Sequence, residues 1–448
     1  MESFIIERFM KVVGSASILT EEKNVLKLSR DYYWYSPVLK EELEKKKADI
    51  ILIPETTIQL KSILNLARDS KIPVTIRGAG TGNYGQAMPL TGGIIIDLSH
   101  LNEVIEWHDD SVKVQAGMKL RDLEKQANEH GLELTIYPST FAKATIGGFV
   151  AGGSGGIGSV TWGNLWDGNV LEATVLTMNE PVQLLTISGD DLLNYIHSYG
   201  TTGVIVDVTI PLKPKRNWRQ IAFQFSSLNN VLDFTEDVAS SKNWNKRLVT
   251  VLEAPISTYF LPLKKKLSQT GHYAFLEIEE DSYLEIKYLA ESLDGQEEYT
   301  VEPSDYRKGI GISDFTWNHT TLWALKNDDH WTYLQNFFDL ETYQNQISTI
   351  KKEFGEEVLI HIEWLKDKGK LIPAGLPLVK YSSKERLYQI IDFFNGLGAS
   401  VNDPHTYLLG AGGWNLQLEA MAKLKKVNDP YDLLNQGKMP STKAISVL

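Results

Sequence analysis

Residues 77–93 read RGAGTGNYGQAMPLTGG. Within them Gly80-Thr81-Gly82-Asn83-Tyr84-Gly85 matches GxGxxG to the letter. That pattern marks a dinucleotide site only when a strand precedes it and a helix opens on its last glycine. A short strand at 72–76 does precede it, but Pro89, Gly92 and Gly93 follow, and then the continuous apolar strand of GGIIIDLSHL. The order is strand, long loop, strand, with no helix N-terminus to meet a pyrophosphate. A doubly wound nucleotide fold is excluded on that ground. The loop keeps its physical meaning, because glycines let successive backbone N–H groups turn toward one anion and let it come close.

Outward from this loop the chain alternates. A strand at 51–53 leads to TTIQLKSILNLARDSK, whose apolar spacing predicts an amphipathic helix. After 97, VKVQAG alternates as a strand does, and MKLRDLEKQANEHG predicts a helix closed by Gly131. This is the grammar of a mixed α/β domain. Residues 147–168 are the outlier, with nine glycines. There Gly152-Gly153-Ser154-Gly155-Gly156 spells GxSxG, but a nucleophile elbow needs a strand entering and a helix leaving the serine, and neither flank reads so. LEATVLTM reads as a strand, DDLLNYIHSYG as a helix, and Pro211 and Pro214 mark a boundary. Residues 216–400 are richer in aromatics and poorer in glycine, and glycines return at GAGG in 401–448.

Composition narrows the function. The chain has 448 residues, 42% hydrophobic and 23% charged, which is globular and long enough for two or three domains. Forty-five basic against fifty-seven acidic side chains leave −12, a poor surface for nucleic acid or anionic lipid. There is no cysteine, so disulfides, thiolate metal sites and a cysteinyl cofactor bond are excluded. No apolar run approaches the roughly 20 residues of a membrane helix. The opening MESFIIERFMKVVG has no cleavable apolar core, so a soluble, cytoplasmic protein is expected.

Several motifs in one order carry a resemblance. VTIRGAGTGNYGQAMP, GGIIIDLSHLNEV, VKVQAGMKLRDLEK, YPSTFAKATIGGFVAGGSGG and SYGTTGVIVDVTIPLKP together resemble the FAD-binding domain of the vanillyl-alcohol oxidase and para-cresol methylhydroxylase family. The tail NDPYDLLNQGK is similar to that family's closing motif, with Gln436 where proline is usual. The resemblance implies an α+β protein: a two-subdomain FAD-binding domain at 1–215 (core motifs 45–215), a cap at 216–400 with an antiparallel sheet, and a return of 401–448 to the FAD domain. It implies an FAD-dependent oxidoreductase acting on a CH–OH group of a small alcohol or hydroxy acid. The alternatives are a phenol-directed oxidase and a flavin-binding subunit of a larger redox complex. The electron acceptor and the oligomeric state, a homodimer included, stay open.

The resemblance also implies where FAD lies. Arg77, Gly78, Ala79, Gly80, Thr81, Gly82, Asn83, Tyr84 and Gly85 would wrap the pyrophosphate. Pro138, Ser139, Thr140, Ala144, Thr145, Gly147 and Gly148 would follow the ribityl chain and flavin ring, continued by Gly152, Gly153 and Ser154. Gly203 and Ile205 would meet adenine, and Asn435 and Lys438 the isoalloxazine. Ala116 would lie against the flavin locus where oxygen approaches, which favours a dehydrogenase over an oxidase. Relatives often bond FAD through a histidine where Thr81 stands, so non-covalent FAD is expected. Relatives acting on D-2-hydroxy acids carry an HxGDGNxH metal segment, and the nearest match here is LIHIEWLKDKGK, so no metal is expected.

A base or orienting group for a hydroxyl proton is expected from the cap or tail. In VLIHIEWL, His361 and Glu363 lie two apart on a predicted strand and share a face. FTWNHTTLW offers His319 on the face of Trp317, and NDPHTYLLGAGG offers His405 beside the returning tail.

Overall fold

The computed structural model describes residues 2–413 and 417–440. A four-stranded sheet runs in the order Ile18–Leu19, Ile50–Leu52, Ile94–Asp97, Val74–Arg77, the last three mutually parallel. All four residues of Ile94–Asp97 are buried, as the unbroken apolar run requires of an interior parallel strand. Helix Thr57–Asp69 joins Ile50–Leu52 to Val74–Arg77, the two strands that flank Ile94–Asp97, and the Thr56 hydroxyl caps it by accepting the Gln59 N–H at 3.1 Å. The loop after Arg77 carries the chain from the edge strand to the strand beside it. The tail adds to the same edge, since Val74 N–H donates to Leu433 O at 2.8 Å and Asn435 N–H to Val74 O at 2.7 Å.

A second, antiparallel sheet is ordered Val104–Trp107, Ser111–Gln115, Val204–Pro214, Glu172–Leu176, Leu184–Ser188, with Leu132–Leu134 pairing the far end of the long central strand. Between the two sheets lies one continuous core. The stretch DDLLNYIHSYG forms only a 3₁₀ turn over Gly189–Asn194, not a helix. Glycine-rich 145–168 is less irregular than its composition predicts: Thr145 caps a helix Ile146–Gly152, and Ser159–Trp162 makes one further turn.

A third sheet has eight antiparallel strands: Gln296–Val301, Trp218–Phe225, His272–Glu279, Lys246–Leu252, His361–Asp367, Lys370–Gly375, Asn336–Phe337 and Ser400–Val401. Its strands bury both faces by strict alternation. Phe223, Phe225, Val251 and Leu276 pack with helices Leu228–Ser240, Tyr343–Phe354 and Lys384–Gly396. Ala222, Leu252, Tyr273 and Phe275 turn the other way, toward Phe260, Ile312 and Phe315. The mixed α/β architecture with an antiparallel cap sheet is the one the motif order predicted.

Candidate functional site

The two glycine-rich segments face one cavity, closed on its third side by Trp317, Asn318 and Gln335. The first loop supplies Gly78, Ala79, Gly80, Thr81, Gly82, Asn83 and Tyr84; the segment leading into helix Ile146–Gly152 supplies Pro138, Ser139, Thr140, Ala144 and Thr145. That helix and the loop after it add Gly147, Gly148, Gly152, Gly153 and Ser154, and Ala116, Gly203 and Ile205 line the cavity as well. Segments far apart in sequence thus converge.

The absence of side chains is structural at several of these positions. A Cβ on Gly78 would collide with Thr145 Oγ1, and one on Gly147 would come within 2.5 Å of Ala116 Cβ. Gly80 has φ +64°, and its missing Cβ makes room for the Arg77 guanidinium. At these positions a methyl group would meet neighbouring protein, so the glycines let the wall segments pack closely on one another and leave mostly backbone and small side chains along the cavity, which fits an extended cofactor with phosphates.

Four predicted residues stand elsewhere. The Arg77 guanidinium turns inward and donates to Arg30 O at 2.7 Å and Ala79 O at 3.1 Å, supporting the loop from below. Gly85 packs beneath Leu43 and Tyr407. Asn435 and Lys438 lie behind the wall: Asn435 Nδ2 donates to Gln86 O at 2.9 Å, and the fully buried Lys438 ammonium donates to the same oxygen and to Asn435 Oδ1 at 2.8 Å. Burial pushes the Lys438 pKa down, opposed by the Asp31 carboxylate. Asp31 in turn accepts the Tyr33 and Ala87 N–H groups at 3.0 and 3.1 Å, and burial raises its pKa. These groups brace the loop rather than face the cavity.

The catalytic candidates are also placed behind the lining. His405 is buried, Nε2 donating to Tyr333 O at 2.9 Å and Nδ1 meeting Ser36 Oγ at 2.7 Å, so both ring nitrogens are spent bracketing the cap. His361 and Glu363 do share a strand face and meet at 2.8 Å, but both are buried one layer back from Trp317. His319 lies on helix Asn318–Asn327, not on a strand, so it does not share a face with Trp317, the residue before the helix. Burial lowers its pKa to about 4.

The lining includes groups that motif reasoning did not find: Tyr32, Tyr35, Gln86, His197, Tyr199 and Gln335. His197 Nδ1–H donates to Gly153 O at 2.9 Å, and burial pushes its pKa down to about 4. Its ring lies 5.2 Å from that of Tyr199 and 6.4 Å from that of Tyr84. Tyr84 donates to Gln335 Oε1 and Asn83 to the Tyr333 hydroxyl, which joins the first loop to the cap. His197 and Tyr199 both have positive φ, 52° and 54°, which is costly for side-chain residues. Their only sequence signal was proximity to Gly200 and Gly203.

The cavity thus lies between a glycine-loop α/β unit and residues of the antiparallel cap. Residues 48–184 match the FAD binding domain family, so the chain carries an FAD-binding domain and FAD is its cofactor. D-lactate dehydrogenase of Anaerostipes hadrus is 34% identical over 180 residues, covering 38% of this chain and 37% of that protein. Mitochondrial D-2-hydroxyglutarate dehydrogenase of Bos taurus is 31% identical over 202 residues, 41% of this chain and 37% of its own length. The matched stretches thus span well under half of these relatives. A solved structure of alkyldihydroxyacetonephosphate synthase superposes with a TM-score of 0.76 over 98% of this chain and 85% of that one, at 14% identity, which establishes the shared fold. Among the described residues no helix is long and apolar enough to cross a membrane.

Proposed function

We propose that the protein is an FAD-dependent oxidoreductase of the vanillyl-alcohol oxidase and para-cresol methylhydroxylase type, oxidising a CH–OH group of a small alcohol or hydroxy acid. Residues 1–215 and 401–448 form its FAD-binding part and 216–400 its cap. The observation that carries this reading is the convergence of two side-chain-poor glycine walls on one cavity roofed by the cap residues Trp317, Asn318 and Gln335. Relatives named as D-lactate and D-2-hydroxyglutarate dehydrogenases support oxidation at a hydroxyl-bearing carbon.

FAD, held between the two glycine-rich walls, would supply the two-electron acceptor for oxidation of the carbinol carbon. The chain's own part is to hold, orient and enclose. Gly78, Gly80 and Gly147 let the wall segments pack closely against Thr145, Arg77 and Ala116, and Trp317, Asn318 and Gln335 line the cavity from the cap. Among the described lining residues that titrate, His197 is unprotonated at neutral pH, while burial keeps Tyr35, Tyr84 and Tyr199 protonated.

The flavin is held without a covalent bond. Thr81 cannot form the histidyl link, and His319, His361 and His405 are not among the lining residues. The purified protein should be yellow with one FAD per chain, and acid precipitation should leave the flavin in the supernatant. Flavin remaining in the pellet would overturn the non-covalent reading and direct attention to His197. A colourless protein that FAD does not reconstitute would overturn the function itself.

A further inference from the structure

We propose that Asn435 is a positioning residue for FAD: its one amide group closes a ring of hydrogen bonds through three segments that line the cavity, and so sets their spacing. FAD affinity then depends on a residue of the C-terminal tail. The proposal rests on FAD occupying the cavity and is independent of the substrate.

The three segments are the loop that ends at Gln86, the helix that ends at Gly152, and the turn that carries His197 and Tyr199. Each is tied to the next. Gln86 Nε2 donates to Gly152 O at 3.0 Å, joining the first to the second. The His197 and Tyr199 N–H groups donate to Val150 O and Ala151 O at 2.9 and 2.8 Å, joining the third to the second. Asn435 Nδ2 donates both to Tyr199 O and, at 2.9 Å, to Gln86 O, joining the third to the first. The ring is thereby closed. Gln86, Gly152, Ala151 and Tyr199 line the cavity, whereas Asn435 is not among the described lining residues.

A carboxamide answers that position fully. Two N–H donors are needed on one atom and an acceptor on the other, because Lys438 Nζ, which cannot accept, donates to Asn435 Oδ1 at 2.8 Å. The lysine fixes which way the amide points. Asn435 also stands at φ +45°, a conformation asparagine tolerates better than most residues. The turn that presents it is held from both sides. Asp429 accepts the Leu433 and Leu434 N–H groups at 2.9 and 2.7 Å and the Lys425 ammonium at 2.9 Å. Lys425 reaches on to Thr201 O at 3.3 Å, and Asn428 Nδ2 to Thr202 O at 2.9 Å, so the tail grips the third segment beyond Tyr199 as well. Asn435, Lys438, Lys425, Asn428 and Asp429 are all buried.

The third segment needs such a grip. His197 and Tyr199 stand at φ +52° and +54°, and side-chain residues keep that conformation only where surrounding contacts over-determine it. Without the Asn435 donors the strained turn loses its tie to the first loop, and the spacing is left to the Gln86 amide.

The test titrates the flavin-free protein with FAD and follows its fold by far-UV circular dichroism. Asn435→Asp keeps the size, the acceptor for Lys438 and the tolerance of positive φ, and removes both donors. It should weaken FAD binding about tenfold in a protein that stays folded. The double variant with Gln86→Ala supplies a readout that a general loss of stability would not give. One break leaves the three segments joined through the remaining links, but two breaks free the first loop at Gln86 from the other two. The double variant should therefore lose more than the product of the single losses, beyond roughly a hundredfold. Where Asn435→Asp does not fold, Asn435→Gly, which suits the positive φ and carries no donor, gives the same comparison. Unchanged FAD affinity in the folded single variant would overturn the proposal, and so would a double variant whose loss is the plain product. An unaltered protein that binds no FAD would instead overturn the flavin reading, and this inference with it.

Discussion

Gln86 Nε2 donates to the Gly152 carbonyl at 3.0 Å, tying the first glycine-rich segment to the second across the cofactor cavity. The same side chain accepts the Tyr84 N–H at 2.9 Å, and its backbone carbonyl receives Asn435 and Lys438. Gly82 is bare because a Cβ there would strike the Gln86 amide. One glutamine thus sets the spacing of the two walls.

Gln86→Ala should therefore weaken FAD affinity about tenfold, since two side-chain hydrogen bonds go and their buried partners stay behind. Titration of the flavin-free protein with FAD measures this. Unaltered affinity would show that the walls hold their spacing without the clamp.

Gly78→Val and Gly80→Val should abolish FAD binding. The first drives a side chain into Thr145, the residue capping helix Ile146–Gly152, and the second forces a branched residue to φ +64° against Arg77. Forcing such a backbone costs about 1–3 kcal/mol before any cofactor clash. Ser154→Ala, by contrast, should leave turnover broadly intact, because no nucleophilic serine is required. Full FAD occupancy in the Gly80→Val protein would sink the cradle.

Ala116→Gly should speed reoxidation of the reduced protein by oxygen. Ala116 is buried, lines the cavity, and lies against Gly147, whose N–H donates to Ala116 O at 2.8 Å. The expectation rests on the family resemblance, in which the methyl group at this position stands in the path of dioxygen to the flavin. Stopped-flow mixing of substrate-reduced protein with aerated buffer gives the rate. Rapid reoxidation of the unaltered chain, with stoichiometric peroxide, would make it an oxidase.

Stability should fall as pH drops from about 6.5 toward 4. Burial holds the pKa of His197 and His319 at about 4 and lowers those of His272 and His405. In that window the unfolded chain binds protons the folded one refuses, at roughly 3 kcal/mol for each of the two largest shifts. Asp31 acts with the opposite sign: its raised pKa contributes stability at low pH that is lost as pH rises through about 6. The pKa values of Glu133, Glu253 and Asp314 are raised by burial and share that sign, but the two imidazoles held at about 4 carry the larger shifts. Urea midpoints at pH 7.5, 6 and 5 should decline in that order, and a rise would contradict the burial of these imidazoles.

The sequence by itself determined the cofactor fold. Glycine order, the unbroken apolar strand at Ile94–Asp97 and the closing NDPYDLLNQGK are local signals, and they placed Gly78, Gly80, Thr145, Gly147 and Ile205 on one cavity. Alternation likewise put His361 and Glu363 on one face of a strand. What only the tertiary structure decided is which side chains meet across long separations. His405 is spent on Ser36 and Tyr333, Lys438 braces Gln86, and Trp317, just before its helix, is held by Glu363 on strand His361–Asp367. Tyr35, the neighbouring pair His197 and Tyr199, and Gln335 reach the wall from three distant segments. Periodicity records which face of an element is buried and not what it is buried against, because that partner is chosen by packing of elements hundreds of residues apart.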